Sequence, residues 1–142
     1  MGKNTLLNDE RIRTLFEKKG LLAVYLFGSR ADGTANEQSD YDFGILFSSP
    51  VRIEDTAIAL FALEEEMADI LKCEVDVIAL DTASIEKRFL IISKGLLIYS
   101  RDDDKRTDFE DLVIKEYLDF KPVLEKYRKE VKEAITEGGF YA

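Results

Sequence analysis

Apolar positions recur along this chain in two periods, and the switches between them divide it into alternating helices and strands. Residues 6–19 place Leu7, Ile12, Leu15 and Phe16 on one helical face, with Asn8 positioned as the cap and Gly20 as the stop. Leu21 to Phe27 is a continuous apolar run, short enough to be a buried strand. A small, polar, turn-rich stretch from Gly28 to Ser39 follows. Tyr41 to Phe47 reads as a second strand, ended by Ser48-Ser49-Pro50. Residues 54–72 carry the clearest helical period, with Ala57, Leu60, Phe61, Met67, Ile70 and Leu71 on one side and Glu64, Glu65 and Glu66 mostly outward.

Glu74 to Leu80 alternates and is β-branched, which predicts a third strand. Ser84 is placed to cap a helix over 85–94, with Lys87 at its third position and Gly95 closing it. Leu96 to Tyr99 makes a short fourth strand. Beyond Arg101, Phe109, Val113, Tyr117, Phe120, Leu124, Tyr127 and Val131 recur every three to four residues, so the tail is helical. Pro122 lacks an N–H and clashes with the preceding turn, which predicts a kink or split near Phe120–Lys121. The order predicts a mixed α/β (α+β) fold: about four strands in a small sheet flanked by helices, then C-terminal helices. Residues 1–104 would form the core, and 105–142 a helical extension packed on it or on a partner.

Composition narrows the function. A chain of 142 residues can bury a real core, and its charge of −9 argues against gripping nucleic acid through phosphates. Having no histidine, the chain has no imidazole for acid–base work, and a conventional zinc site is not expected. The single Cys73 rules out an internal disulfide. No apolar run approaches the roughly 18–20 residues that span a bilayer, and MGKNTLLNDER lacks a long apolar leader segment. A cytoplasmic protein without membrane contact is expected.

The chemistry concentrates in YLFGSRADGTANEQSDYDFGILF. Side chains alternate along a strand, so Asp40 and Asp42 would share a face while Tyr41 takes the other. At about 5 Å and an effective dielectric of about 20, such a pair of charges costs roughly 3 kcal/mol. A divalent cation would neutralise it, and magnesium favours carboxylates plus substrate phosphates. Alone, an Asp-x-Asp is more often a solvated loop or a strand start. Gly28-Ser29 changes that reading, because a glycine directly after a buried strand lets backbone N–H groups approach a phosphate. Asp76 is the third element: a carboxylate between Val75 and Val77 is costly to bury unpaired, so it lies on a wet edge or joins the other two at a metal. The three together describe a two-metal site for phosphoryl or nucleotidyl transfer. Arg30 abuts the turn and is the leading basic candidate for a phosphate; Lys94 and Arg101 read as surface charges.

These motifs resemble the minimal nucleotidyltransferases of the DNA polymerase β superfamily, with Gly-Ser, a spacer, Asp-x-Asp and a later strand aspartate. Within it, LFGSRADGT, SDYDFGIL, VDVIAL, ISKGLLIYSRD and YLDFKPVLEKY make the chain similar to the MntA-like antitoxins of HEPN–MNT toxin–antitoxin pairs. The resemblance implies a nucleotidyltransferase fold and transfer of AMP from ATP to a tyrosine of a cognate HEPN ribonuclease toxin, which is thereby inactivated. It further implies that Gly28 and Ser29 hold the triphosphate, Asp40 and Asp42 bind two Mg2+ ions, and Asp76 is the third ligand and activates the acceptor. Asp32 departs from relatives that carry a basic residue there, which would weaken nucleotide affinity.

Size bears on the acceptor independently. After the sheet and its helices little chain is left to grip tRNA or a primer, so a small molecule or a docked protein fits better. Three readings follow: a protein adenylyltransferase antitoxin, an aminoglycoside-type enzyme lacking the usual larger helical domain, and an antitoxin acting by binding alone.

Overall fold

The computed structural model describes residues 8–137. Its first helix, α1 (Glu10–Lys18), leads into β1 (Leu21–Phe27), a one-turn helix α2 (Ser29–Asp32) and β2 (Tyr41–Phe47). A long helix α3 (Ile53–Leu71), β3 (Val75–Ala79), α4 (Ile85–Lys94), β4 (Leu96–Ser100) and α5 (Asp103–Thr136) complete it. The sheet order is β3-β2-β1-β4, with β1 antiparallel to both β2 and β4 and β2 parallel to β3. A parallel pair cannot be joined by a tight turn, and the 19 residues of α3 supply the crossover. The mixed sheet flanked by helices is therefore as the pattern predicts.

Strand alternation sorts the side chains into two cores. Val24, Leu26, Tyr41, Phe43, Ile45, Val75 and Val77 pack under α1, through Ile12, Leu15 and Phe16, and under α3, through Leu63, Met67 and Leu71. On the other face Tyr25, Leu46 and Leu80 meet Ile91 of α4, with Phe109 of α5 half-buried beside them. Gly44 makes that second layer close: a Cβ there would stand 3.0 Å from Leu80 and 3.2 Å from Ile91. The edge strand β3 is guarded as well, because the Val77 N–H donates to the Glu64 carboxylate at 3.3 Å.

Three expectations shift. The cap of α1 is Asp9, accepting from the Arg11 N–H at 2.9 Å, one residue after Asn8; Leu7 lies outside the described residues. In α3 the buried stripe is Leu63, Met67 and Leu71, while Ala57 is exposed and Phe61 is 63% exposed. Met67 and Leu71 are buried and Leu60 and Ile70 pack against the core as the period predicts, and the two outward residues belong to the stretch 57–63, which is apolar all round. Strand β2 has the predicted bounds, and Asp40 lies immediately before it. The tail is one unbroken helix of 34 residues that runs through Pro122 instead of splitting there. Pro122 and Leu118 are both exposed, so water reaches the carbonyl that the missing N–H frees.

The first half of α5 is tied to the core. Val113 is buried, the Phe89 and Tyr117 rings stack at 3.9 Å, and the Tyr25 hydroxyl donates to Glu110 at 2.5 Å. Beyond Pro122 the helix is mostly exposed, with Leu124 and Val131 half-buried and an ion pair from Arg128 to Glu86 at 2.6 Å. No helix among the described residues is long and apolar enough to cross a membrane.

Candidate active site

β1 ends at Phe27, and Gly28 turns the chain into α2 with φ 75° and ψ −158°. That backbone region is essentially open to glycine alone. The Gly28 carbonyl accepts from the Ala31 and Asp32 N–H groups at 3.0 and 3.2 Å, which closes the turn, and no side chain caps the start of α2. Gly28 is bare for a second reason. A Cβ on it would lie 2.5 Å from Asp42 Oδ2, so the missing side chain is the space the carboxylate occupies.

Asp42 reaches that space through pairing. It stands opposite Phe27 on β1 and opposite Asp76 on β3, in register. Tyr41 and Phe43 turn into the core, so Asp42 takes the other face; Val75 and Val77 likewise leave Asp76 exposed. Asp40 is exposed just before β2, close enough for its charge to act on Asp42. Burial, then the charges of Asp76 and Asp40, push the Asp42 carboxyl above its ordinary pKa, while Lys87 pulls the other way. One end of the sheet thus gathers a phosphate-sized turn and three carboxylates. Among the described residues, no three His, Cys, Asp or Glu side chains close around one point as a metal cage would. Magnesium does not need one, because it takes one or two carboxylates and completes its shell with phosphates and water, so this open set of hard donors fits it.

Residues 10–104 match the family described as Polymerase beta, Nucleotidyltransferase. The chain is a nucleotidyltransferase of that family. It is 26% identical over 139 residues to the protein adenylyltransferase MntA of Aphanizomenon flos-aquae, covering 94% of this chain and 93% of that one. It is 28% identical over 100 residues to the MntA of Shewanella oneidensis, covering 69% of each. Among solved structures, a toxin–antitoxin with AMP-PNP superposes with a TM-score of 0.73 at 24% identity, over 88% of this chain and 98% of that one. A tri-AMPylated Shewanella oneidensis HEPN toxin in complex with its MNT antitoxin gives 0.70 at 20% identity, over 92% and 98%. These superpositions carry the nucleotidyltransferase fold across both sheet layers and into α5.

Of the basic residues of this nucleotidyltransferase, Lys94 and Arg101 are exposed surface charges as expected, while Arg30 is engaged elsewhere than at a phosphate turn. Arg30 turns away from the Gly28 turn: its Nε and one terminal nitrogen donate to the Ser39 carbonyl at 3.1 and 2.8 Å, and that nitrogen also reaches the Glu37 carbonyl at 3.3 Å. The same nitrogen lies 3.8 Å from the half-buried Cys73 Sγ. Arg101 lies beyond β4, at the end of the sheet where Ser100 pairs with Ala23, away from Gly28; Lys94 is exposed in the last turn of α4. Asp32 forms a local turn, its Oδ1 accepting from the Thr34 N–H and hydroxyl at 3.0 and 2.6 Å.

Lys87 is the cation that sequence reasoning missed as a site residue. Its ammonium lies 5.0 Å over the Phe27 ring, one residue before Gly28, and its charge bears on Asp42. It also lines a groove of about 480 Å3 between α4 and α5, with Phe89, Leu90 and Tyr117. The Ser84 cap located Lys87 in the first turn of its helix, but only the docking of α4 on the sheet brings that turn to β1.

Proposed function

We propose that this nucleotidyltransferase transfers AMP from ATP to a tyrosine of a HEPN-family ribonuclease toxin and thereby silences it. Two relatives bear the name protein adenylyltransferase MntA, and a solved relative of the same fold is held with a tri-AMPylated HEPN toxin. A further relative carries AMP-PNP, in keeping with ATP as the donor. The observation that carries the reading is the convergence of Gly28, Asp42 and Asp76, since a turn and two in-register carboxylates have little structural use for each other.

In this reading the tyrosine oxygen attacks the α-phosphorus of ATP, forming the new P–O bond as the α–β bridge breaks and pyrophosphate leaves, while the tyrosine proton passes to Asp76 and on to water. Backbone at Gly28 and the Ser29 hydroxyl hold the triphosphate. Asp40, Asp42 and Asp76 hold the metal, and Asp76, on the exposed edge strand, faces the incoming acceptor. Two bound Mg2+ ions would clamp the triphosphate and lower the pKa of the attacking hydroxyl. Residues 1–104 would form the catalytic core and 105–142 the extension, whose described part packs on the core through Val113 and Tyr117 and leaves its far half for a partner. The reaction belongs in the cytoplasm, where ATP and a ribonuclease target coexist.

The test mixes the protein, ATP, magnesium and a candidate HEPN partner and measures intact mass. AMP-sized increments on the partner are expected, and they disappear with Asp42→Asn. An unmodified but still inhibited partner would replace transfer with inhibition by binding alone.

A further inference from the structure

Asp40 is the one carboxylate of the site that no strand pairing holds, since β2 begins only at Tyr41. Its backbone is fixed instead at both neighbours. On one side the Tyr41 N–H donates to the Glu74 carbonyl at 3.0 Å, beside β3. On the other, the Ser39 carbonyl takes two bonds from Arg30, at 3.1 and 2.8 Å, and Glu37 takes a third at 3.3 Å. The spacer has its own local turn, in which Asn36 and Ser39 bond each other and Gln38 bonds Asn36, so Arg30 grips an already shaped loop. The guanidinium itself is anchored, lying 4.3 Å over the Tyr41 ring, which stacks on the core residue Phe43 at 5.9 Å and 4°.

We propose that Arg30 is a positioning residue: it ties the spacer to the Gly28 turn and so sets where Asp40 stands relative to Asp42 and Asp76. The proposal deepens the nucleotidyltransfer reading and rests on it for its catalytic consequence. The geometry requires arginine. A planar fork can put two N–H groups on one carbonyl while stacking on an aromatic ring, and a lysine ammonium cannot do both. A phosphate contact would ask for something else, a positive charge directed at the turn, which lysine also supplies. The spacing of the motif follows from this link: one end of the spacer starts at the arginine that later holds its other end.

Three measurements on Arg30→Met and Arg30→Lys separate these roles. Amide exchange of residues 37–41 in the protein without nucleotide should speed up in both variants. The Mg2+ concentration for half-maximal transfer should rise, and kcat should fall by about 10- to 100-fold, as small misplacements of reacting groups do. Affinity for AMP-PNP without metal should stay near wild type. Unchanged exchange at 37–41 would overturn the proposal, as would loss of metal-free AMP-PNP affinity in Arg30→Met that Arg30→Lys restores. If wild-type protein transfers no AMP, the functional reading fails while the exchange measurement still decides the clamp. Should Arg30→Met not fold, Arg30→Gln takes its place in all three.

Discussion

Asp42 and Asp76 face each other in register across β2 and β3, two like charges on one side of the sheet beside its edge. Burial, Asp76 and Asp40 together raise the Asp42 pKa, so the folded protein holds this proton more tightly than the unfolded chain does. Stability is therefore lost as pH rises from the unfolded carboxylate value through the raised folded one, and the full penalty stands at neutral pH. Asp42→Asn removes it. The variant without metal should unfold at the same urea concentration as wild type or a higher one at pH 7, with the difference vanishing by about pH 3, below the ordinary aspartate pKa of about 3.9. AMP transfer should be lost. A clearly less stable Asp42→Asn protein at pH 7 would mean that the carboxylate is structural.

Gly28 permits a second expectation, because two separate costs fall on one methyl group. Its backbone lies in a region that costs other residues of order 1–3 kcal/mol, and the added Cβ would meet Asp42 Oδ2 at 2.5 Å. Gly28→Ala should destabilise by at least that amount, since the clash adds to the strain. It should also displace the carboxylate and so abolish transfer. Pairing it with Asp42→Gly relieves the clash but not the strain, so the double variant should recover part of the stability and none of the activity. Full recovery of stability would assign the whole cost to the clash.

The strands and the Ser84 cap were legible because they are local. Ser84 accepts from the Lys87 N–H at 3.1 Å as its spacing required, and the apolar run at Leu21–Phe27 is the central strand β1. The parts of the site were legible for the same reason: Gly28 follows a buried strand, and Asp76 alternates with two buried valines. What the chain could not display were relations set by packing. Arg30 lies next to Ser29 in sequence, yet its guanidinium spans nine residues to Ser39 because the Tyr41 ring offers it a surface. Lys87 comes beside Phe27 only when α4 docks over Gly44. The buried face of α3 was legible through Leu60, Met67, Ile70 and Leu71, but Ala57 and Phe61 lie in an apolar arc wider than the contact, and only the sheet decides which edge of that arc stays in water.

Tyr25 carries a third expectation, remote from the chemistry. Its ring is buried in β1 while its hydroxyl donates to Glu110, whose carboxylate also takes Arg106 at 3.0 Å. Burial first, then the Glu110 charge, raises the phenol pKa well above its ordinary value. Folded Tyr25 stays protonated where the unfolded tyrosine ionises, so stability should decline as pH climbs past about 10. Tyr25→Phe removes that contribution and leaves Glu110 one donor short, at a cost of about 1.5–3 kcal/mol near neutral pH. Urea titrations at pH 7 and pH 10.5 should show the gap between the two proteins narrowing at the higher pH. Transfer activity should persist wherever the variant is folded.

The second half of α5 supplies the last expectation. Pro122 deprives the helix of one bond, to the Leu118 carbonyl, and an interior proline is about 3 kcal/mol less favourable than alanine. That difference already includes the stiffer unfolded chain, so Pro122→Ala should favour the helical form by about 3 kcal/mol. Little else holds the segment beyond it: the Arg128–Glu86 pair is 63% and 45% exposed, and such pairs contribute at most about 1 kcal/mol. Amides at 123–131 should therefore exchange more than tenfold slower in Pro122→Ala, since each 1.4 kcal/mol is a factor of ten. Amides of β1 should be unchanged, because the core does not depend on this half of the helix. Equal slowing in both places would mean that α5 and the sheet open together, and that the far half of the helix is part of the folding unit rather than an appendage to it.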